Sequence, residues 1–588
     1  MISRISEISP RLKWSLLVFV LSLLVRAVIL LFVVHGQTRI KFDENGYFRM
    51  AAAQHSVLKD LLEFKSPEKK EIEVTYGTGT WPPFHPLVLA LGFLVFGKSI
   101  NAARITVVLL SALTTPLIFL TGERLFGRKA GIAASFIHIL HPSFIAFSHF
   151  LWSETTFIFI LFLGVYLALR SMEVESQGKN IAYALGLGII MGLLVLTRAA
   201  ALTFLVAIVS IVFFKKKSWK LRIAALLTAV AAFSVVLSPW EVYLYKRTQR
   251  FVAVSNFSYR NLYLGNNPWV REGMTYEQRE PNPKKRGALA HYARERSISS
   301  EEAAKELALK EISTHFGKFI LRSIKRGLLL WTFDFFPLRH AAHVVYPPMP
   351  GVLIIFILLI FILWHTVLIL FSVFGFLIKS PKSGMKAFVL VLIAAGILPY
   401  ILTFANTRFN LPQIALLIPV AAFGMTGLRT VKKSWIYPTA GIATVLCLIG
   451  VFYYTYSNSI YKIIRPSSHY SNPIRCLDNV FHAQSRFADM LILRKKDSAD
   501  KKGVILSILN SEGYSFLRDE EKKRIHVKLQ GSRRIIIYSS NPKKPLQLLL
   551  WSETKVRSVT IEPISKDYWG DYKRIPLDDV ELTWRGGY

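Results

Sequence analysis

Trp14-Ser-Leu-Leu-Val-Phe-Val-Leu-Ser-Leu-Leu-Val-Arg-Ala-Val-Ile-Leu-Leu-Phe-Val-Val-His35 is an apolar run with Arg26 as its one fixed charge. About 20 such residues cross the hydrocarbon core of a bilayer, so the run reads as a first membrane span. The chain then continues Lys41-Phe-Asp-Glu-Asn-Gly-Tyr47. A carboxylate pair at a membrane exit can be the solvated start of a loop. It can also be a general base placed for a substrate at the lipid surface.

The 588 residues are 52% hydrophobic, with a mean hydropathy of +0.38, which fits a polytopic membrane protein better than a soluble one. The net charge of +36 would suggest nucleic acid in a soluble chain. Here it divides between the positive-inside signature and a surface facing anionic membrane lipids. No nucleic-acid motif accompanies it. Two cysteines, Cys447 and Cys476, build neither a disulfide framework nor a metal site. The first apolar run is too long for a signal-peptide core, so it is expected to be retained.

Eleven spans are expected, near 14–35, 100–121, 130–149, 152–170, 181–197, 199–214, 221–239, 352–378, 386–404, 410–428 and 435–456. A further span could lie at 315–337. Basic clusters set the orientation: Arg4, Arg11 and Lys13; Arg124, Arg128 and Lys129; Lys215 to Arg222; Lys379, Lys382 and Lys386; Arg429, Lys432 and Lys433. Under the eleven-span count all five fall on one side, read as cytoplasmic. Asp43, Glu154 and Arg408 then share the opposite side. So do a first loop (36–99), a long basic loop (240–350) and a tail (457–588). The membrane domain is thus 1–456. The tail has short β-type runs such as Gly503-Val-Ile-Leu-Ser-Ile-Leu509, separated by Gly, Asn, Pro and Ser, and reads as a small extracytoplasmic β-sandwich.

An ordered set of short motifs runs through the membrane part. It comprises Phe42-Asp-Glu-Asn-Gly-Tyr47, Trp81-Pro-Pro-Phe-His-Pro86, Phe96-Gly-Lys-Ser99 with Ala103-Arg104, and Leu120-Thr-Gly-Glu-Arg-Leu-Phe-Gly127. Trp152-Ser-Glu154, Leu196-Thr-Arg198, Leu264-Gly-Asn-Asn-Pro268 and Thr407-Arg-Phe-Asn-Leu-Pro412 complete it. In order, spacing and side, this set resembles the lipid-linked-sugar glycosyltransferases of the C-type superfamily. The likeness is to the dolichyl-phosphate-mannose–protein mannosyltransferase family (glycosyltransferase family 39) and its bacterial relatives, including the aminoarabinose transferase of lipid A. It covers about residues 14–430. It implies a membrane all-α fold of about 11–13 transmembrane helices.

The resemblance matches Asp43 and Glu44 to the family's first acidic pair and implies a general base. A sugar hydroxyl is a poor nucleophile until a carboxylate begins to take its proton. Asp43 is the expected base, because in an extended segment Glu44 points the other way. Glu154 matches the family's second acidic position. It would hold the acceptor or a metal, or be only a favourable charge at a helix start. Arg408 is expected on the donor's lipid phosphate, where charge builds up as the sugar–phosphate bond breaks. Arg198 is a second candidate of that kind. Tyr47, His85, Lys98 and Asn266 are candidate substrate-binding residues, each with a packing or turn role as the alternative. Arg26 is about 25 Å along a helix from Asp43, too far to share its centre.

The expected function is that of an integral-membrane inverting glycosyltransferase. It would move a sugar from a polyprenyl-phosphate donor to a protein, lipid or glycan acceptor. The expected location is the bacterial inner (plasma) membrane, with the site facing outward. No cofactor is assigned, and a divalent metal stays open. A transporter or lipid flippase is the alternative, although no pair of Gly/Pro-broken helices appears in matching halves. A structural assembly factor that binds glycans through the tail is a third reading.

Overall fold

The structure is a computed structural model. It describes residues 9–34, 43–67, 81–174, 176–215, 218–249, 258–268, 288–332, 351–380 and 384–427, isolated positions between them, and several strand segments of the tail. The chain divides into two compact units, Met1–Ser459 and Ile460–Tyr588.

The first unit is helical. Its helices are α1 (Pro10–Ile29, ending in a π turn, Leu30–Val34), α2 (Asp43–Leu62), α3 (Phe84–Phe96), α4 (Ile100–Phe126), α5 (Arg128–Leu140) and α6 (Pro142–Phe147). They are followed by α7 (Ser153–Met172), α8 (Gln177–Val195), α9 (Leu202–Lys215), α10 (Trp219–Thr248), α11 (Ser258–Gly265) and α12 (Ala288–Glu295). The last are α13 (Ser300–Thr314), α14 (Phe316–Leu330), α15 (Gly351–Leu377), α16 (Met385–Leu402) and α17 (Leu411–Gly427). Short 3₁₀ turns, Ala199–Ala201 and Thr407–Asn410, introduce α9 and α17.

Among the described residues, eight helices are long and apolar enough to cross a membrane. The protein is an integral membrane protein. The expected span at 130–149 is instead two short helices, α5 and α6, broken where His141 leaves the helical region before Pro142. The stretch 199–214 gives a 3₁₀ turn and the 14-residue α9, about 21 Å long, short of the bilayer core. The expected span 435–456 lies outside the described residues except for isolated positions. The first loop proves largely helical: α2 and α3 pack against each other, and α3 also meets α4 and α7.

Burial ranks the spans. In Thr407–Gly427, 83% of the spanning window is buried, against 67% in Ser153–Met172 and 11% in Trp219–Thr248. The helix carrying Arg408 at its start is therefore central, with α4 and α7 against it. It meets α15 so closely that a side chain at Gly375 would strike the Val420 carbonyl, and one at Gly424 the Phe371 carbonyl. Arg26 is a buried polar group whose partners come from across the helices, which offsets the cost of its burial. Arg26 donates from Nε to Ser111 Oγ (2.6 Å), from Nη1 to Ser22 Oγ (2.7 Å) and from Nη2 to the His138 carbonyl (3.4 Å).

The two ends of the bundle differ in charge. Arg11 pairs with Glu123 at 2.8 Å, Lys382 donates to the Arg124 carbonyl at 2.8 Å, and Arg124 pairs with Glu173. Three of the basic sequence stretches thus meet at one end. Asp43, Glu154, Arg198 and Arg408 meet at the other end of α1, α4 and α7.

In the second unit the described strands form one four-stranded sheet and two separate two-stranded pairs. The sheet comprises Met490–Arg494, Gly503–Leu509, Leu546–Ser552 and Val580–Gly586, the last pair running parallel. A β-sandwich is not established by these segments.

Candidate functional site

The site starts at the first turn of α2. The sequence suggested an extended segment here; the chain is helical from Asp43, and two carboxylates in a first turn complement the helix dipole. The helix also decides which carboxylate faces inward. Glu44 is fully buried, and its Oε1 accepts the Leu151 N–H at 2.9 Å. Asp43 stays partly open, its side chain 36% exposed.

Three residues of α2 and α3 grip the same short stretch. Glu44 holds the Leu151 amide, while His85 Nε2 lies 3.1 Å from the Leu151 carbonyl and Nδ1 lies 2.9 Å from Thr156 Oγ1. Tyr47 OH donates to Ser153 Oγ at 3.3 Å, and its ring meets His85 edge-on at 4.8 Å. Burial, with the Asp43 charge adding to it, pushes the Tyr47 phenol well above its ordinary pKa, so it stays a neutral donor. These bonds fix residues 151–156 at the head of α7, where Glu154 sits.

Glu154 is 2% exposed and lies between two arginines. Its Oε1 is 2.8 Å from Arg198 Nη1 and 3.8 Å from Arg408 Nε. Arg408 Nη2 in turn donates to Asp43 Oδ2 at 2.8 Å. The flat guanidinium of Arg408 lies 5.0 Å from the Trp152 ring centre and 5.2 Å from that of Phe409. Arg198 lies 5.3 Å from Phe409 as well. The turn holding Arg408 is capped by Asn406, whose Oδ1 accepts the Arg408 N–H at 3.2 Å. Two carboxylates and two guanidinium groups therefore form one alternating row, Asp43–Arg408–Glu154–Arg198, with Asp43 its most open member and Glu154 its most buried.

Asn266 and Lys98 fall elsewhere. Asn266 is fully buried, donates to the Leu402 carbonyl at 2.8 Å and accepts from Arg326 Nη2 at 3.0 Å. Arg326, absent from the sequence reading, also donates to the Ile401 and Leu402 carbonyls and to Gly265 O. It caps the C-terminal end of α16, where a cation suits the helix dipole, just before the turn that carries Arg408. Lys98 is exposed beyond the Gly97 cap of α3 and joins none of these contacts. Arg26 stays within the bundle, as its spacing from Asp43 implied.

Among the described residues no three His, Cys, Asp or Glu side chains come together as a metal set. Asp43 and Glu154 each face an arginine, which does not fit a divalent cation in the arrangement described.

Fold and site define a polytopic membrane protein with a neutral, paired Asp/Arg and Glu/Arg cluster at one end of its spans. A family model described as dolichyl-phosphate-mannose-protein mannosyltransferase matches residues 80–243, and the chain resembles that family there. Among solved structures it is similar to ArnT from Cupriavidus metallidurans bound to undecaprenyl phosphate. That match has 16% identity and a TM-score of 0.41, and covers 74% of this chain and 63% of that one. It is also similar to the Archaeoglobus fulgidus oligosaccharyltransferase in the apo form. Here the identity is 16% and the TM-score 0.41, over 75% of this chain and 55% of that one. The chain thus spans less than two thirds of either. A search of curated proteins found no match.

Proposed function

We propose that this protein is an inverting glycosyltransferase that uses a polyprenyl-phosphate-linked sugar. Asp43 is the general base and Arg408 holds the donor phosphate. One observation carries the reading: Arg408 Nη2 lies 2.8 Å from Asp43 Oδ2, although 365 positions separate them in the chain. The bond brings to one end of the spans a carboxylate able to accept a proton and a guanidinium able to grip phosphate with two hydrogen bonds. The acceptor hydroxyl attacks the anomeric carbon while Asp43 takes its proton. The carbon–oxygen bond to phosphate breaks, and its electron pair leaves with the lipid phosphate. Arg408 neutralises that charge as it grows. Glu154, locked to Arg198, holds Arg408 from its other side and sets its place. The site lies opposite the basic loops, so the positive-inside rule turns it outward. The acceptor class is a hydroxyl borne by protein, lipid or glycan.

Purified protein with a polyprenyl-phosphate hexose and membrane-extract acceptors tests the reading. Sugar transfer is expected from the wild type. In Asp43→Asn the rate should fall by at least about 10²-fold, the usual reach of general-base catalysis. Full turnover in that variant would remove Asp43 as base; movement of the intact glycolipid without transfer would instead make the protein a flippase.

A further inference from the structure

Building on the proposed reaction, we infer that the Asp43–Arg408 pair is an exchangeable gate: the base is freed only when a lipid phosphate takes its place on Arg408. In an in-line displacement the nucleophile's base and the leaving group stand on opposite faces of the sugar. Asp43 and the phosphate ligand cannot remain in contact during the reaction, yet here they are 2.8 Å apart.

The surroundings show which partner gives way. Arg408 lies over the rings of Trp152 and Phe409, with Glu154 behind it and its backbone N–H on Asn406. Trp152 is 1% exposed and Glu154 is tied to Arg198. Asp43, in contrast, is the outermost member of the row and sits on the first turn of α2. A change of its side-chain rotamer releases Arg408 without disturbing the buried members. A phosphodiester offers two non-bridging oxygens to the guanidinium fork and competes with the carboxylate on equal geometric terms. An uncharged leaving group cannot, so the pair makes the site selective for an anionic carrier. With Glu154 retained by Arg198, the exchange releases one positive charge, which matches the single negative charge of a sugar phosphodiester.

The test compares binding of undecaprenyl phosphate and of uncharged undecaprenol to the full-length protein in detergent. Loss of the Asp43 carboxylate removes the competitor for Arg408. Asp43→Asn should therefore bind undecaprenyl phosphate about tenfold more tightly than wild type, while losing transfer. Asp60→Asn, a carboxylate lost from the far end of α2, should match wild type. Undecaprenol should bind all three alike. Asp43→Ala repeats the test without an amide that could still contact Arg408, and melting curves confirm that each variant is folded. If wild type binds the phosphate and both Asp43 variants bind it no tighter, the gate is refuted while the proposed reaction stands. If wild type discriminates no phosphate from undecaprenol, the lipid-phosphate reading falls and the gate with it.

Discussion

Replacing Arg408 with lysine keeps the charge and should nonetheless cost transfer about 30- to 150-fold in kcat/KM, from about 2–3 kcal/mol of lost interaction. The figure follows from what surrounds the side chain. One of two charge-assisted hydrogen bonds to phosphate disappears with the planar fork, worth about 1.5 kcal/mol or somewhat more. The cation–π contacts with Trp152 and Phe409, at 5.0 and 5.2 Å, weaken too. A desolvated cation–π pair adds about 1 kcal/mol. Arg408→Gln also loses the charge and should fall by roughly a further 10²-fold, the scale seen when a charge-stabilising donor is removed. Initial rates over a donor series give both constants, and melting temperature separates lost chemistry from lost fold. Arg429→Ala, from a basic stretch assigned to the opposite side, should transfer normally. A lysine variant within about threefold of wild type would refute the bidentate phosphate role, and Arg198 would be the next side chain to test.

Glu154→Gln and Arg198→Gln should each destabilise the protein by about 3 kcal/mol, because each breaks the close ion pair of a buried charge. The double variant should cost clearly less than the two added together in denaturant titration; simple additivity would sink the pairing. Asn266→Ala should lower stability by about 2 kcal/mol, since Arg326 and the Leu402 carbonyl lose a partner. Its transfer rate per folded molecule should hold; a raised donor KM with unchanged melting would return Asn266 to the sugar pocket. Single cysteines at Ser66 and Ser218 should label from opposite faces of intact cells, Ser66 from outside. Outside labelling of Ser218 alone would invert the orientation.

The membrane-spanning character and the far-side grouping of Asp43, Glu154, Arg198 and Arg408 were legible because apolar runs and basic clusters obey strong one-dimensional rules. The division of labour inside Asp43-Glu44 was not. An extended segment and a helix turn both aim adjacent side chains apart, so the pattern did not show that Glu44 would anchor Leu151. Tyr47 and His85 read as either substrate-binding or packing residues; their contacts with Ser153, Thr156 and Leu151 join stretches about 70 to 110 residues apart, and no local pattern encodes such pairings. Arg326 left no signal either. It lies in a stretch readable as amphipathic surface or as an extra span, and its partners are mainly backbone carbonyls, which every sequence contains. The break at His141–Pro142 carried a signal in its proline, but the apolar run around it concealed two helices as one.

Arg26 has a consequence for how the molecule is made. During synthesis α1 enters the translocon before Ser111 and His138 exist, and a central arginine adds about 2.5–3.5 kcal/mol to its insertion free energy. The surrounding leucines and valines outweigh this, and Ser22, one turn back, can accept one N–H in the meantime. The remaining donors wait until α4 and α5 arrive. A ribosome stalled between α1 and α5 would therefore hold a nascent chain whose intramembrane charge still lacks its Ser111 and His138 partners. The same arginine that ties three helices together in the finished protein makes the order of their arrival matter to the unfinished one.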